Sequence, residues 1–485
     1  MKRRVFSSVF VFAIIYTIFF QITALAGNDP SSGEPRAKYV FLFIGDGMGQ
    51  GQVNLAQAYL AALDGRIGLD DLSFTRFPEA GFCNTYAHNR LITCSAAAGT
   101  ALATGNKTNI NRISMDPEAT MNLTSVAAKA KNKGYKVGIL TSVSIDHATP
   151  AVFYAHQPDR DLYFDIGREL TQSRFDLFAG GGFVQPDSTN GGQTVNLVSL
   201  AAENGFNVAD TREEFEKLAP GTGKTLILSP RIAGEASMPY YIDMDPGDIT
   251  LADYTAKAID LLSGDEGFFM MVEGGKIDWA CHANDASTVI QEIIIFSRAI
   301  ESAVRFYEKH PEETLIIVTA DHETGGLALG NRKMKYSSNL ELLKYQLSST
   351  DEMNKIVSQF RVNKSGDPDA DFLRMMKVVE NETGLHSRAN GTLLTDSELA
   401  HLKERFLESV YAAGPEQGTY IPEDKFIESV IGLRDEKAGI SWGSGSHTFV
   451  SVPVYAIGQG AEKFSGYIDN TDIPKLIGEI MQLER

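Results

Sequence analysis

Five short apolar runs constrain this 485-residue chain more than any other feature: KYVFLFI (38–44), YKVGILT (135–141), GFFMMV (267–272), ETLIIVTA (313–320) and VSVPVYAI (450–457). Each is rich in β-branched and aromatic residues, which fit a pleated backbone, and each is shorter than an ordinary helix. Helical patterns lie between them at 124–133, 250–263 and 283–308. Strands apolar on both faces that alternate with helices predict an α/β fold, a doubly wound and mostly parallel sheet sandwiched by helices. Such sheets take their ligands beyond the carboxyl ends of the strands. Polar residues at those ends are therefore the first candidates for function.

From Gly330 to about Gly439 the pattern changes. NLELLKYQLSS, DADFLRMMKVVENET and DSELAHLKERFLESVYAA are amphipathic and charged, which predicts a helical insertion at about 330–439 within a domain spanning 38–485. Its tether between His322 and His447 places it beside the strand ends, where it is expected to shape substrate access. At the other end, Lys2, Arg3 and Arg4 precede an apolar stretch over residues 9–20 and then Ala24-Leu25-Ala26. This is the pattern of a cleaved signal peptide over 1–26, followed by a flexible lead-in over 27–37, and it predicts export to the periplasm or the medium. The stretch falls short of the roughly 20 apolar residues that a spanning helix needs, so no stable membrane span is expected after cleavage. The three cysteines, Cys83, Cys94 and Cys281, are odd in number and too few to staple so long a chain. A net charge of −18 argues against a nucleic-acid-binding surface.

Metal-ligand residue types gather at the borders of four of the predicted strands. Asp46 follows VFLFI within GDG; Glu273 follows FMMV and leads to Asp278 and His282; Asp321 and His322 follow IIVTA; His447 stands just before the last strand. Singly, each has an ordinary explanation: Asp46 and Glu273 as turn acids, His447 as a loop histidine. Together they form a pattern. Asp278 and His282 are four apart, so one helical turn puts both on one face around one ion. Asp321 and His322 can diverge around a second. Mixed imidazole and carboxylate ligands suit zinc, oxygen-only sets suit magnesium, and the scarcity of thiolates points to catalytic rather than structural ions. Two ions about 3.5–4 Å apart clamp the entering and leaving oxygens of an in-line phosphoryl displacement, which points to phosphate ester hydrolysis. ITCSAAAGTALATG (92–105) then supplies a nucleophile: Ser95 would open a helix of small residues whose free N–H groups favour an anion.

The chain resembles the alkaline phosphatase family from about Lys38 onward. The likeness rests on GDGMG (45–49), the Ser-Ala-Ala helix ending in ATGNKT (103–108), HATP (147–150), VEGGKIDWACH (272–282), TADHETGG (319–326) and SHT (446–448). It implies that Ser95 is the nucleophile that becomes phosphorylated, that Asp278, His282 and His447 hold a first Zn2+, and that Asp46, Asp321 and His322 hold a second. It further implies a Mg2+ site of Asp46, Thr149 and Glu273, with His147 standing where relatives carry Asp, and a phosphate-binding role for Arg160. It implies hydrolysis of small phosphate monoesters through a phosphoserine, and a homodimer. Two further departures bear on phosphate: Cys94 stands where many relatives carry the Asp that steadies the arginine, and Trp279 where they carry a basic or imidazole residue. Cys94 itself lacks the flanking residues of a thiol phosphatase or a sulfatase and reads as a packing residue. The alternatives are a phosphodiesterase or phosphonate hydrolase sharing the two-metal core, and a non-catalytic binding protein. The latter would have lost a ligand or the nucleophile, and none is missing.

Overall fold

All five apolar runs become strands of one ten-stranded sheet in the computed structural model, which describes residues 36–412 and 424–484. The expected signal peptide and all but the last two residues of the lead-in lie outside the described residues. In spatial order the strands are Gly466–Asp469, Glu79–Asn84, Val452–Gly458, Thr314–Thr319, Tyr39–Gly45, Phe268–Gly274, Lys136–Thr141, Leu177–Gly180, Thr225–Leu228 and Asn207–Ala209. The seven from Thr314–Thr319 to Asn207–Ala209 are mutually parallel. Every residue of the three central strands is buried, as expected of a sheet covered on both faces. Phe41 and Phe43 meet Phe306 and Phe296 of the helix Ala286–Tyr307, the period-two pattern of one strand face packing on one helix. That helix packs with Gln50–Leu63 and Leu251–Leu262, while Ser95–Thr104, Val126–Asn132 and Asp472–Ile480 form a second group; the strand Lys136–Thr141 touches a member of each.

Register fixes where the polar residues emerge. Ile44 pairs with both Thr319 and Glu273, and Glu273 with Thr141, so Asp46, Asp321 and Glu273 leave the sheet at one edge. Val452–Gly458 runs antiparallel to Thr314–Thr319. Its beginning therefore lies at the edge where its neighbour ends, which is why His447, before a strand, joins residues that follow strands.

Between Leu340 and Ala438 the described elements are all helical, and the short strands Ala328–Leu329 and Ile440–Ser441 pair at the base of this segment. It carries its own apolar cluster, which includes Met353, Met375, Phe406 and Phe426. Leu340, Leu343, Ala438 and Ile440 bind it to Leu55 and Tyr59 of Gln50–Leu63 and to Ala286 and Ile290.

Candidate metal centre

Gly47 explains the first turn of the site. Its φ of +72° suits glycine, and a Cβ there would stand 2.8 Å from Asp278 Cα. Without that side chain the turn after Tyr39–Gly45 lies directly on the helix Lys276–His282, and Asp46 faces the residues this helix carries. Asp46, Glu273, Asp321 and His322 are fully buried, and Asp278 is nearly so.

Two groups of ligand atoms result. His282 Nε2 lies 3.1 Å from His447 Nε2 and 3.4 Å from Asp278 Oδ2, and His447 Nε2 lies 3.7 Å from Asp278 Oδ1. His322 Nε2 lies 3.4 Å from Asp46 Oδ1 and 3.2 Å from Asp321 Oδ2. Four ligands about 2.0–2.1 Å from one tetrahedral ion stand about 3.3 Å apart, which the second group matches; in the first, Asp278 meets His282 through one oxygen and His447 through the other, and His322 stands within reach of both Asp278 and His447. The rings of His322 and His447 stack with centroids 3.6 Å apart, which makes the two groups neighbours. A third group brings together Asp46, His147 and Glu273, with Thr149 Oγ1 3.4 Å from Asp46 Oδ2.

The donor chemistry fits cations. Among the described residues, Asp46 Oδ1, Asp321 Oδ2 and Glu273 Oε1 are buried and have no hydrogen-bond partner, although buried polar atoms are nearly always satisfied. Each belongs to one of these groups, and a bound ion would satisfy it. His282 Nδ1 faces the Gly445 carbonyl at 2.8 Å and His447 Nδ1 the Thr93 carbonyl at 2.9 Å. A carbonyl only accepts, so both rings carry hydrogen on Nδ1 and turn an Nε2 lone pair toward the centre. Burial holds His322, His447 and His147 below the usual imidazole range, which keeps them neutral.

Burial, reinforced by neighbouring carboxylates, pushes Asp46 well up, Asp321 to about 7 and Glu273 to about 8. Unfolded, such groups titrate near 4. Below about pH 4 both states hold these protons; between there and about pH 8 the unfolded chain has released them while the folded, metal-free protein retains them. Stability of the metal-free protein therefore falls as pH rises through this window. Thermal unfolding of chelator-treated protein between pH 5.5 and 8.5 is expected to show a falling midpoint that zinc restores, with a shallower slope in Glu273→Gln. Equal slopes in both proteins would refute this.

Ser95 opens the fully buried helix Ser95–Thr104, and its Oγ lies 3.3 Å from His322 Nε2. The preceding Cys94 makes no side-chain cap, so the first-turn N–H groups stay available to an anion. Cys94 Sγ instead accepts the Asn111 N–H at 3.3 Å and packs on the main core. Arg160 Nη2 donates to His147 Nε2 at 2.9 Å, and its charge helps hold His322 and His447 down, so it stands beside the centre although no Asp precedes Ser95. Trp279 sets its ring against His147, centroids 5.8 Å apart, and over the buried Lys276 ammonium.

The structure also brings in two threonines that the sequence reading passed over. Thr141 Oγ1 donates to Glu273, and Thr324 Oγ1 donates to Asp278 and lies 3.3 Å from His322 Nδ1. Thr324 stands inside TADHETGG, and Thr141 ends an apolar run beside Glu273 in register; their position relative to the acids was the available signal.

The sequence profile of the alkaline phosphatase family matches residues 37–483. Alkaline phosphatase 3 of Bacillus subtilis (strain 168) is 31% identical, over 95% of this chain and 92% of the relative; alkaline phosphatase 4 of the same organism is 30% identical, over 91% and 88%. The crystal structure of Thermus thermophilus alkaline phosphatase superposes with a TM-score of 0.75 at 27% identity, covering 95% of this chain and 96% of that one.

Proposed function

The chain belongs to the alkaline phosphatase family and is a phosphatase; from that premise we propose that it hydrolyses phosphate monoesters through a phosphoserine on Ser95. The observation that carries this reading is the placement of Ser95 Oγ 3.3 Å from His322 Nε2, beside two neighbouring groups of carboxylate and imidazole atoms. Asp278, His282 and His447 would hold one Zn2+, Asp46, Asp321 and His322 another, and Asp46, Thr149 and Glu273 a Mg2+, with His147 beside them turned to Arg160. When bound, these ions supply the positive charge that lowers the pKa of an attacking hydroxyl and stabilises a departing alkoxide. Ser95 Oγ attacks phosphorus as the ester P–O bond breaks and the alcohol departs, and water then cleaves the phosphoserine, releasing inorganic phosphate and restoring the serine hydroxyl. The first-turn N–H groups of Ser95–Thr104 and the Arg160 guanidinium hold the non-reacting phosphate oxygens. Burial of the carboxylates excludes bulk water and lets this electrostatic arrangement act at low dielectric. The residues 1–26 support export, and a homodimer completes the reading.

Arg160 separates monoesters from diesters, because a diester offers one fewer charged oxygen to its planar fork. Turnover of matched monoester and diester substrates by purified protein is expected to favour the monoester. Arg160→Ala is expected to lower monoester kcat/KM by about 10²-fold, the loss of about 3 kcal/mol of charge-assisted hydrogen bonding, and to spare diester turnover by comparison. A diester preference in the parent protein would overturn the monoesterase reading.

A further inference from the structure

The helical segment between Leu340 and Ala438 ends on a charged network that reaches the loop carrying His447. Asp435, on the last of its helices, Lys425–Ala438, is 1% exposed. Its Oδ1 accepts from Arg434 Nη2 at 2.8 Å, and its Oδ2 accepts the Trp442 indole N–H at 2.9 Å and the Ala286 N–H at 3.3 Å. Ala286 begins the long helix four residues after His282. Trp442 in turn lies against Gly325, where an added Cβ would meet the ring at 2.7 Å. From there the backbone is stitched to the turn after His322: Gly443 N–H donates to Gly325 O at 2.9 Å, Ser444 N–H to the same carbonyl at 3.0 Å, and Gly325 N–H to Ser446 O at 3.0 Å. Two products of this loop reach the first group of ligand atoms. Gly445 O accepts the His282 Nδ1–H, and His447 offers its own Nε2.

We propose that Trp442 is a positioning residue for the first ion: held by Asp435, it sets the height of the 442–447 loop, and thereby the orientation of His282 and the place of His447. The inference rests on the two-ion reading above and adds to it that one ion, not both, depends on the helical segment. The hydrogen bonds that anchor the loop involve none of Asp46, Asp321 and His322, and of these three His322 meets the loop where its ring stacks on His447. Partners that orient a ligating histidine affect affinity by about 10–100-fold, and Trp442 acts one contact further out.

Trp442→Phe removes the donor and keeps a ring against Gly325, so the fold is retained. Calorimetric titration of zinc into metal-free full-length protein resolves the sites, and His282→Ala identifies which event belongs to the first. Trp442→Phe is expected to weaken that event by about 10-fold, leave the other within about 2-fold, and lower the metal-free unfolding midpoint only by the one donor that Asp435 loses. Restoring a donor with Trp442→His is expected to recover part of the loss. Two zinc events of parental affinity in Trp442→Phe would overturn the proposal, as would equal weakening of both with a lowered midpoint. A parent protein that binds no pair of zinc ions would instead defeat the two-ion reading itself, so the two failures are distinct.

Discussion

Ser95→Ala is expected to lower turnover of a chromogenic phosphate monoester by about 10³-fold or more while zinc content stays at the parental level. The size follows from the role proposed for Ser95 Oγ as the atom that forms the covalent intermediate; deletion of a nucleophile from a set of residues acting as a unit removes most of the acceleration that the set provides. The selectivity follows from geometry. Among the described residues the hydrogen-bond partner of Ser95 Oγ is His322 Nε2, and its removal takes away no carboxylate or imidazole of the three groups. Alanine is also the best helix former, so the first position of Ser95–Thr104 tolerates it. Acid-quench trapping of radiolabelled phosphate on the protein is expected to succeed for the parent and fail for the variant. Cys94→Ala serves as the contrast: it removes the acceptor of the Asn111 N–H, at a cost of about 1 kcal/mol in stability, and is expected to retain turnover. Unchanged turnover in Ser95→Ala, or its loss in Cys94→Ala, would shift the chemistry away from the serine.

The five strands legible in the sequence are those whose residues are buried on both faces, because only there does a run of apolar residues survive unbroken. Glu79–Asn84 escaped notice since it lies near the sheet edge, with Glu79 and Gly81 half-buried and Phe82 exposed, so its pattern mixes charged, small and aromatic residues. Leu177–Gly180 and Thr225–Leu228 are buried but only four residues long, too short to separate from turns of a helix. The convergence of these acids and histidines was legible for a related reason. Parallel strands in register bring their ends together, so acids and histidines that follow apolar runs must converge whatever the details of the fold. What the sequence could not carry was the hydrogen bonding that sets each ring: the carbonyls of Thr93 and Gly445 are backbone atoms, available at every position and therefore invisible as residue types. The same holds for Arg160. Cys94 suggested a loosely held guanidinium, yet His147, thirteen residues earlier, supplies an acceptor for it.

Asp46 offers the sharpest separation between what the site needs for chemistry and what the fold needs for stability. It belongs to two of the three groups of ligand atoms, with Oδ1 toward His322 and Oδ2 within reach of Thr149. Asp46→Asn keeps the shape and the Thr149 acceptor but removes the negative charge that two ions would share. Loss of the zinc proposed at Asp321 and His322 and of the ion proposed beside Glu273 is expected together, with turnover falling about 10³-fold or more, since charge stabilisation and nucleophile activation fail at once. Glu273→Gln, confined to the third group, is expected to cost only the third ion. Without metal the order of stability reverses. Burial and the neighbouring Asp321, Asp278 and Glu273 oppose ionisation of Asp46, so the parent loses stability as pH rises above the ordinary carboxylate range, whereas a neutral amide carries no such penalty. At pH 8 metal-free Asp46→Asn is therefore expected to unfold at a higher temperature than the metal-free parent, and zinc to raise the parent's midpoint more than the variant's. A variant that kept full metal content, or unfolded earlier than the parent when stripped, would mean that the Asp46 charge is neutralised by the protein itself rather than reserved for ions.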